Sequence, residues 1–250
     1  MNIRRKTPVQ IETTEPHLCS INLRLKILHS VPFFSDLTHE QILEINRLFH
    51  EKGFEKGDYL YFAGDPAESM FIIAEGRVKL LRHTSTGKDV MLDLLIPGEF
   101  FGTLSTASDR LYQDTAQAVT SICALAIDRE NFRSILTQYP VVGMKVLDTV
   151  STRLEAAHAI IQQLSAQSAE QRIASTLMRL AAKLGEKHDV GLLIQTPLTR
   201  DELSEMTATT PETASRVISQ FQKEGWISTG RQWIALTDLD ALNEIAQLQN

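Results

Sequence analysis

The chain has 250 residues, of which 43% are apolar, and a formal net charge of −6 at pH 7. This length allows one large domain or two modest ones, and the apolar fraction is sufficient for buried cores. The negative charge argues against a uniformly basic nucleic-acid-binding surface, so phosphate contacts would have to come from a few placed groups. The two cysteines, Cys19 and Cys123, lie far apart in sequence. We therefore expect no disulfide framework and a reducing compartment.

Residues 1–22 show little periodicity and predict an N-terminal extension. The basic start is not followed by the apolar stretch of a signal peptide, and no apolar run approaches membrane-spanning length. We therefore expect a cytoplasmic protein that does not enter a membrane. Helical spacing begins at Leu23 and resumes after Thr38, where Gln41 completes the pattern of a capping box. These two segments predict a small N-terminal helical layer.

From Phe54 to Asp128 the pattern changes to short apolar runs separated by Gly, Asp, Pro and Ser. The runs have strand length and lie at residues 59–62, 70–73, 78–81, 90–95 and 115–127. Regular spacing of this kind predicts an antiparallel barrel or sandwich.

A short helix is predicted from Glu130 to Leu136, and a long one after Pro140. Apolar residues in the long helix alternate spacings of three and four, the pattern of a coiled-coil seam: Leu147, Val150, Leu154, Ala157, Ile161 and Leu164. This helix could instead pack on its own β-domain. A single-file seam of this length favours a partner helix, so we expect a parallel two-stranded coiled coil and a homodimer.

Small polar residues at 165–169 predict a hinge, followed by a helix over 170–184 and a strand at 192–195. Two short helices come next. The first begins at Thr199, which forms a capping-box pattern with Glu202; the second begins at Thr210, with Pro211 at its first position. A hairpin over 226–236, turning at Gly230, and a helix over 239–248 complete the chain. Together these elements predict a winged helix-turn-helix.

The second helix of the pair has two different sides. Its apolar residues share one side and its polar residues share the other: Ala214, Val217, Ile218 and Phe221, against Glu212, Ser215, Arg216 and Ser219. In a major groove, Arg can donate two hydrogen bonds to guanine and Glu can accept from cytosine N4. Alternatively, Glu212 and Arg216 form an ordinary ion pair on a solvated face. Candidate phosphate contacts are Thr199, Thr210 and Arg231.

The start of this helix resembles the recognition-helix motif of the CRP/FNR superfamily of bacterial transcription regulators, in its FNR-type version: Thr210-Pro211-Glu212-Thr213-Ala214-Ser215-Arg216. The resemblance implies that Glu212, Ser215 and Arg216 read TTGA-type half-sites of a palindrome. It also implies three partners, namely double-stranded DNA, a second copy of the chain and RNA polymerase. The cAMP receptor protein has Arg in place of Pro211 and Gly in place of Ser215, which disfavours the cAMP-type consensus.

Glycines of the strand region resemble those of the cyclic-nucleotide-binding β-roll: Gly64, Gly76, Gly87, Gly98 and Gly102. The implied fold is α+β, with an N-terminal β-roll, a long central dimerisation helix and a C-terminal winged helix-turn-helix. The corresponding boundaries are an extension at 1–22, a β-roll sensor domain at 23–137, a dimerisation helix at 138–168 and a DNA-binding domain at 169–250.

The resemblance also implies an effector pocket in the β-roll, formed by Gly98, Glu99, Phe100, Gln113, Asp114, Thr115 and His158. Where cyclic-nucleotide binders place an Arg-Ser pair against the phosphate, this chain has Tyr112 and Gln113. Losing that bidentate cation argues against cAMP, although Arg110 lies close enough to substitute if the loop shifts. In cyclic-nucleotide binders, a Thr-Ser pair on the central helix contacts the base of the nucleotide; this chain has Ala157 and His158 at those positions. Gly98 and Gly102 could also be simple turn glycines.

Two cysteines cannot supply the four thiolates of an iron–sulfur cluster within one subunit, and Cys123 is expected to be a buried small hydrophobe. A haem-based gas sensor remains an alternative, because four histidines could act as haem ligands: His158, His17, His29 and His83. Two further alternatives remain. The protein could have no effector, so that its cellular abundance alone sets its activity, or it could be a ligand sensor that acts mainly by contacting another protein. No nucleophile–base pair, cluster of metal ligands or phosphate-binding loop is present in the sequence, so we predict neither a metal site nor an enzyme.

Overall fold

The computed structural model describes residues 19–84, 89–103, 110–196 and 198–247. They form two compact units, an N-terminal unit up to Ala157 and a C-terminal unit from His158 onward. Residues 1–18 of the predicted extension lie outside the described residues. The first helix, α1, spans Ile21–Ser30 and is capped by the Ser20 side chain. Regular structure therefore begins two residues inside the extension.

The described part of the N-terminal unit contains eight strands: β1 (His50–Phe54), β2 (Tyr59–Tyr61), β3 (Ser69–Glu75), β4 (Val78–His83), β5 (Asp89–Leu95), β6 (Phe100–Gly102), β7 (Thr115–Ala118) and β8 (Ile122–Asp128). They build two antiparallel four-stranded sheets, in the orders β1-β8-β3-β6 and β2-β7-β4-β5. The antiparallel β prediction is confirmed. The strand β1 was missed because its sequence, His-Glu-Lys-Gly-Phe, has no apolar run.

Aromatic residues fill the space between these two sheets. The rings of Tyr61 and Tyr112 stack at 3.8 Å between centroids, and those of Phe71 and Phe101 stack at 5.3 Å. All four side chains are buried. The β-roll interior is therefore held together by ring contacts in addition to strand pairing.

A second apolar cluster is shared by the first sheet and the helices of the N-terminal unit. These helices are α1, a 3₁₀ turn at Pro32–Phe34, α2 (His39–Asn46) and α3 (Arg129–Gln138). The Thr38–Gln41 capping box that starts α2 is present as predicted. Phe33 is the aromatic centre of this cluster, with its ring 5.0 Å from Phe100 and 6.2 Å from Phe132.

The long helix α4 spans Pro140–Ala166, 27 residues, as the apolar spacing predicted. Its seam residues Leu147, Val150, Leu154, Ile161 and Leu164 are 43–61% exposed. Ala157 is exposed as well. Among the described residues, the stripe is therefore left largely exposed.

The C-terminal unit contains α5 (Ala169–Leu184), β9 (Gly185–His188), β10 (Gly191–Ile194), α6 (Arg200–Met206), α7 (Pro211–Lys223), β11 (Ile227–Gly230), β12 (Trp233–Leu236) and α8 (Leu239–Gln247). The strands form one antiparallel sheet in the order β11-β12-β10-β9. The winged helix-turn-helix is confirmed. The strand β9 was not predicted, because Gly-Glu-Lys-His carries no strand pattern.

The expectation of unpaired cysteines is wrong. Cys19 and Cys123 form a disulfide, with their Cα atoms 6.1 Å apart across a sequence separation of 104 residues. That Cα distance lies within the ordinary range for disulfides. The reason is tertiary: both residues belong to the apolar cluster shared by α1 and the first sheet. Cys123 is buried, as predicted.

Among the described residues, no helix combines the length and the apolar character that crossing a membrane requires.

Candidate nucleic-acid interface and effector site

Both helices of the predicted pair start with the caps that their sequences indicated. The Thr199 hydroxyl accepts the Glu202 N–H at 3.1 Å, and the Glu202 carboxylate accepts the Thr199 N–H at 2.9 Å. The Thr210 hydroxyl accepts the Thr213 N–H at 3.2 Å. These side chains satisfy amides that a helix start leaves without a partner. The ends of α6 and α7 are thereby set by the sequence itself.

The apolar side of α7 is packed into the C-terminal unit. Ala214, Val217, Ile218 and Phe221 are each at most 2% exposed. The Phe221 ring lies 5.4 Å from the Trp226 ring at the start of the hairpin. This burial fixes which side of α7 faces outward.

The outward side carries the residues predicted to read bases. Glu212 and Arg216 are exposed, and Ser215 is half-buried. Within residues 198–247, no ion pair joins Glu212 to Arg216, so the described structure does not support the alternative of a simple i,i+4 pair. Hydrogen bonds from the Glu212 backbone N–H and the Thr210 hydroxyl lower the pKa of Glu212. Its carboxylate is therefore an acceptor at neutral pH.

The predicted phosphate contacts lie at the helix starts and at the hairpin. The hydroxyls of Thr199 and Thr210 are engaged in capping, so a phosphate at either site would meet mainly the neighbouring backbone amides. Arg231 is exposed at the tip of the β11–β12 hairpin. Next to it, Gln232 adopts a left-handed backbone conformation with φ of 68°.

In the N-terminal unit, the segment predicted to hold an effector begins with a tight turn. The Glu99 N–H donates to the Ile96 carbonyl at 3.1 Å, and the Ile96 N–H donates to the Glu99 carboxylate at 2.8 Å. Pro97 and Gly98 are the central residues, and Gly98 has φ of 88°, as a type II turn requires. The turn alone therefore accounts for Gly98 and for one oxygen of Glu99.

The second predicted part of the pocket precedes β7. The Gln113 carbonyl accepts two bonds from the Arg82 guanidinium, at 3.0 and 2.9 Å. The Asp114 carboxylate accepts the Tyr61 hydroxyl at 2.8 Å, and the buried Thr115 hydroxyl accepts the Ala63 N–H at 3.0 Å. This segment is tied into the β-roll by its own polar groups.

Besides Arg82, sequence reasoning missed a second cation of the pocket segment, Arg153 of α4. Its guanidinium donates to the Phe100 carbonyl at 2.9 Å and lies 3.6 Å from the centre of the Phe100 ring. Burial lowers the pKa of Arg153, while the carboxylates of Glu99 and Asp93 act in the opposite direction. Phe100 belongs to the cluster shared with the helices, not to the aromatic interior between the sheets. Only the tertiary contact distinguishes Arg153 from an ordinary helix-surface arginine.

The other candidate groups are dispersed. Arg110 and His158 are exposed, the His29 ring stacks on His39 at 5.8 Å, and His83 contacts the Asp89 carboxylate. His17 lies outside the described residues. Across the part of the chain that the structure describes, no group of three or more His, Cys, Asp or Glu side chains is arranged to hold a metal ion.

The Tyr61–Asp114 hydrogen bond gives a pH-dependent prediction. Burial raises the pKa of Asp114, and the Tyr61 bond and the Arg82 charge lower it. Tyr61→Phe removes one lowering contribution, so the pKa of Asp114 should rise further and its ionised form should be destabilised. We expect the unfolding free energy at pH 7 to fall by about 1–2 kcal/mol. The loss should shrink at lower pH as the carboxyl becomes protonated.

Urea unfolding at pH 7 and pH 5 measures this effect. Tyr59→Phe is the matched control, because Tyr59 lies two residues away on the same strand, β2, and is 44% exposed. An equal loss at both pH values for Tyr61→Phe would contradict a role for the Asp114 charge.

Known protein families match the β-roll region and the winged-helix region of the chain separately. A family model described as a cyclic nucleotide-binding domain matches residues 51–139, and one described as a Crp-like helix-turn-helix domain matches residues 171–245. The chain is similar to the cyclic AMP receptor protein of Thermus thermophilus, with 28% identity over 86% of this chain and 96% of that protein. It is also similar to the global nitrogen regulator of Synechococcus elongatus, with 27% identity over 76% and 87%.

Among solved structures, a mutant of CooA from Carboxydothermus hydrogenoformans matches with a TM-score of 0.68 and 25% identity, over 80% of this chain and 89% of that one. A β-roll followed by a long helix and a winged helix with an exposed reading helix defines a DNA-binding transcription regulator. The chain belongs to the CRP/FNR superfamily of such regulators, and its relatives in these comparisons are regulators, not enzymes.

Proposed function

We propose that the protein is a homodimeric regulator that binds TTGA-like palindromic half-sites through Glu212, Ser215 and Arg216. The observation that carries this proposal is the two-sided burial of α7. Its apolar side is fully packed, while Glu212 and Arg216 project outward and are not paired with each other within residues 198–247. Arg216 supplies donors for guanine, and the ionised Glu212 supplies an acceptor for cytosine N4.

The exposed stripe of α4 supports the dimer. Apolar side chains that repeat every three and four residues and stay largely exposed in the described structure suit a second copy of the same helix. Two copies related by a two-fold axis present two identical reading helices, and such a pair requires a palindromic target. The dimer seam and the reading helix are therefore both consistent with a palindromic DNA target.

We further propose that a small effector in the β-roll controls DNA binding and that this effector is not cAMP. Tyr112 stands where the phosphate-binding arginine is expected, and it is buried. Its hydroxyl accepts the Ser69 N–H at 3.1 Å and donates to the Ser69 carbonyl at 3.0 Å. A phosphate at this position would meet a phenol that is already engaged. RNA polymerase is the expected protein partner, and the cytoplasm, where the DNA target lies, is the expected compartment.

Two alternatives have direct tests. The exposed His158 leaves a haem-based sensor open, and a Soret band in the visible spectrum of the purified protein would support it. A sensor acting mainly through protein contacts predicts weak binding to DNA of any sequence. Titration with a TTGA palindrome and a scrambled duplex at two salt concentrations separates this alternative from sequence-specific binding.

The base-reading role predicts the effect of Arg216→Ala. Because the side chain is exposed and its removal leaves the buried side of α7 intact, the fold should be unchanged. We expect a loss of about 1–3 kcal/mol of discrimination at one base pair of each half-site, measured by competition among single-base variants of the palindrome. Lys223→Ala, an exposed cation at the end of the same helix, is the control and should change affinity equally across sequences. An unchanged base preference in Arg216→Ala would contradict the assignment.

A further inference from the structure

Arg172 in the first turn of α5 connects two parts of the C-terminal unit. Its Nε donates to the Thr207 carbonyl at 2.8 Å and its Nη2 to the Ala208 carbonyl at 3.3 Å. Thr207 and Ala208 form the turn between α6 and α7. The remaining guanidinium nitrogen, Nη1, donates to the Gln167 carbonyl at 2.7 Å. One side chain thus holds the turn before the reading helix and the residue that directly follows α4.

Gln167 is itself a junction of several elements. Its backbone N–H donates to the Gln163 carbonyl in the last turn of α4 at 3.0 Å. Its side-chain amide donates to the Ala246 carbonyl in α8 at 3.1 Å and accepts the Ser175 hydroxyl of α5 at 3.4 Å. The end of α4 is therefore joined to α5 and α8 at the residue that Arg172 also contacts.

The turn held by Arg172 has a demanding backbone conformation. Ala208 adopts φ of 48°, a left-handed conformation that is unfavourable for a residue with a side chain. Bonds from the guanidinium to the carbonyls of Thr207 and Ala208 hold this conformation in place. The planar fork reaches three carbonyls at once, which the single ammonium of a lysine cannot reproduce.

We propose that Arg172 is a positioning residue that fixes the reading helix to the end of the dimerisation helix, and thereby sets the half-site spacing that the dimer accepts. The inference rests on the proposed function as a dimer on palindromic DNA. In such a dimer the α4 pair defines the two-fold axis. The joint at Gln167 then determines how far from the axis each α7 lies.

The preferred spacing between the two half-sites is a sensitive measure of how rigid the joint at Gln167 is. Each base pair added between half-sites moves them apart by about 3.4 Å and rotates one relative to the other by about 34°. A rigid joint allows only one spacing to place both helices in the groove. A loosened joint tolerates neighbouring spacings while leaving the base contacts of each half-site unchanged.

The test compares full-length wild type with Arg172→Gln on TTGA palindromes whose spacers differ by single base pairs, and on a duplex with one half-site. Wild type should prefer one spacer sharply. In Arg172→Gln the ratio of affinities between the best and the neighbouring spacers should fall about tenfold, with an unchanged preference among half-site sequences. Arg172→Lys should behave like Arg172→Gln because the fork is lost. Arg179→Gln removes the same charge from an exposed position of α5 and should keep the wild-type ratio.

A folded Arg172→Gln protein that keeps the wild-type spacer ratio overturns the inference, as does a wild type that binds palindromes of every spacing equally. If Arg172→Gln does not fold, Arg172→Lys decides, because it keeps the charge and the aliphatic stem and loses only the fork that reaches the three carbonyls. Its spacer ratio should fall in the same direction, and an unchanged ratio overturns the inference. A wild type that binds no palindrome overturns the proposed function itself, before any variant is compared.

Discussion

Ile161→Glu is expected to convert the protein into a monomer and to lower its affinity for a palindrome by at least about 100-fold. Ile161 is 60% exposed in the single chain, and in a parallel coiled coil it would pack against the same residue of the partner helix. The substitution places two carboxylates against each other in the seam and removes two isoleucines from it. Helix propensity changes little between Ile and Glu, so α4 itself should persist.

Gln162→Glu is the matched control. It adds the same charge at the next, exposed residue, which lies about 100° around the helix and off the seam. Sedimentation equilibrium and titration with a palindrome measure the two expected effects. We expect a monomer with weak binding for Ile161→Glu, and a dimer with wild-type binding for Gln162→Glu. A dimeric Ile161→Glu would show that the exposed stripe serves something other than self-association.

Cys19→Ser is expected to lower the unfolding free energy of the oxidised protein by about 4 kcal/mol. The disulfide closes a loop of 104 residues, so it removes much conformational freedom from the unfolded chain. It also joins the residue before the α1 cap to β8 within one apolar cluster. The loss should therefore appear in the transition of the N-terminal unit, which urea unfolding followed by circular dichroism measures.

The cross-link itself provides the control. Cys123→Ser and the double variant should lose the same amount as Cys19→Ser, because one bond is removed in each case. Addition of a reductant should lower the stability of the wild type to that of the variants. Additive losses in the double variant would show that the effect comes from packing of the two side chains and not from the bond between them.

Local patterns determined much of this protein. The caps at Thr38, Thr199 and Thr210, the buried side of α7 and the exposed stripe of α4 all depend on residues within one or two helical turns of each other. The order and spacing of such elements predict the winged helix-turn-helix and an antiparallel barrel or sandwich, and the family resemblance of the glycines specified the β-roll. The polar side of α7 follows from local periodicity, and the resemblance of its first residues named Glu212, Ser215 and Arg216 as the candidate reading residues.

Other features depend on contacts between residues that are distant in sequence, and only the tertiary structure decided them. The strands β1 and β9 have little apolar pattern, and their pairing with β8 and β10 assigns them to sheets. Cys19 and Cys123 meet because α1 and β8 contribute to one cluster. Arg153 and Arg172 look like ordinary helix-surface cations until their distant carbonyl partners are placed beside them. The physical reason is the range of the interaction: caps and amphipathic faces are local, whereas a disulfide or a guanidinium bond to a distant carbonyl depends on how the whole chain folds.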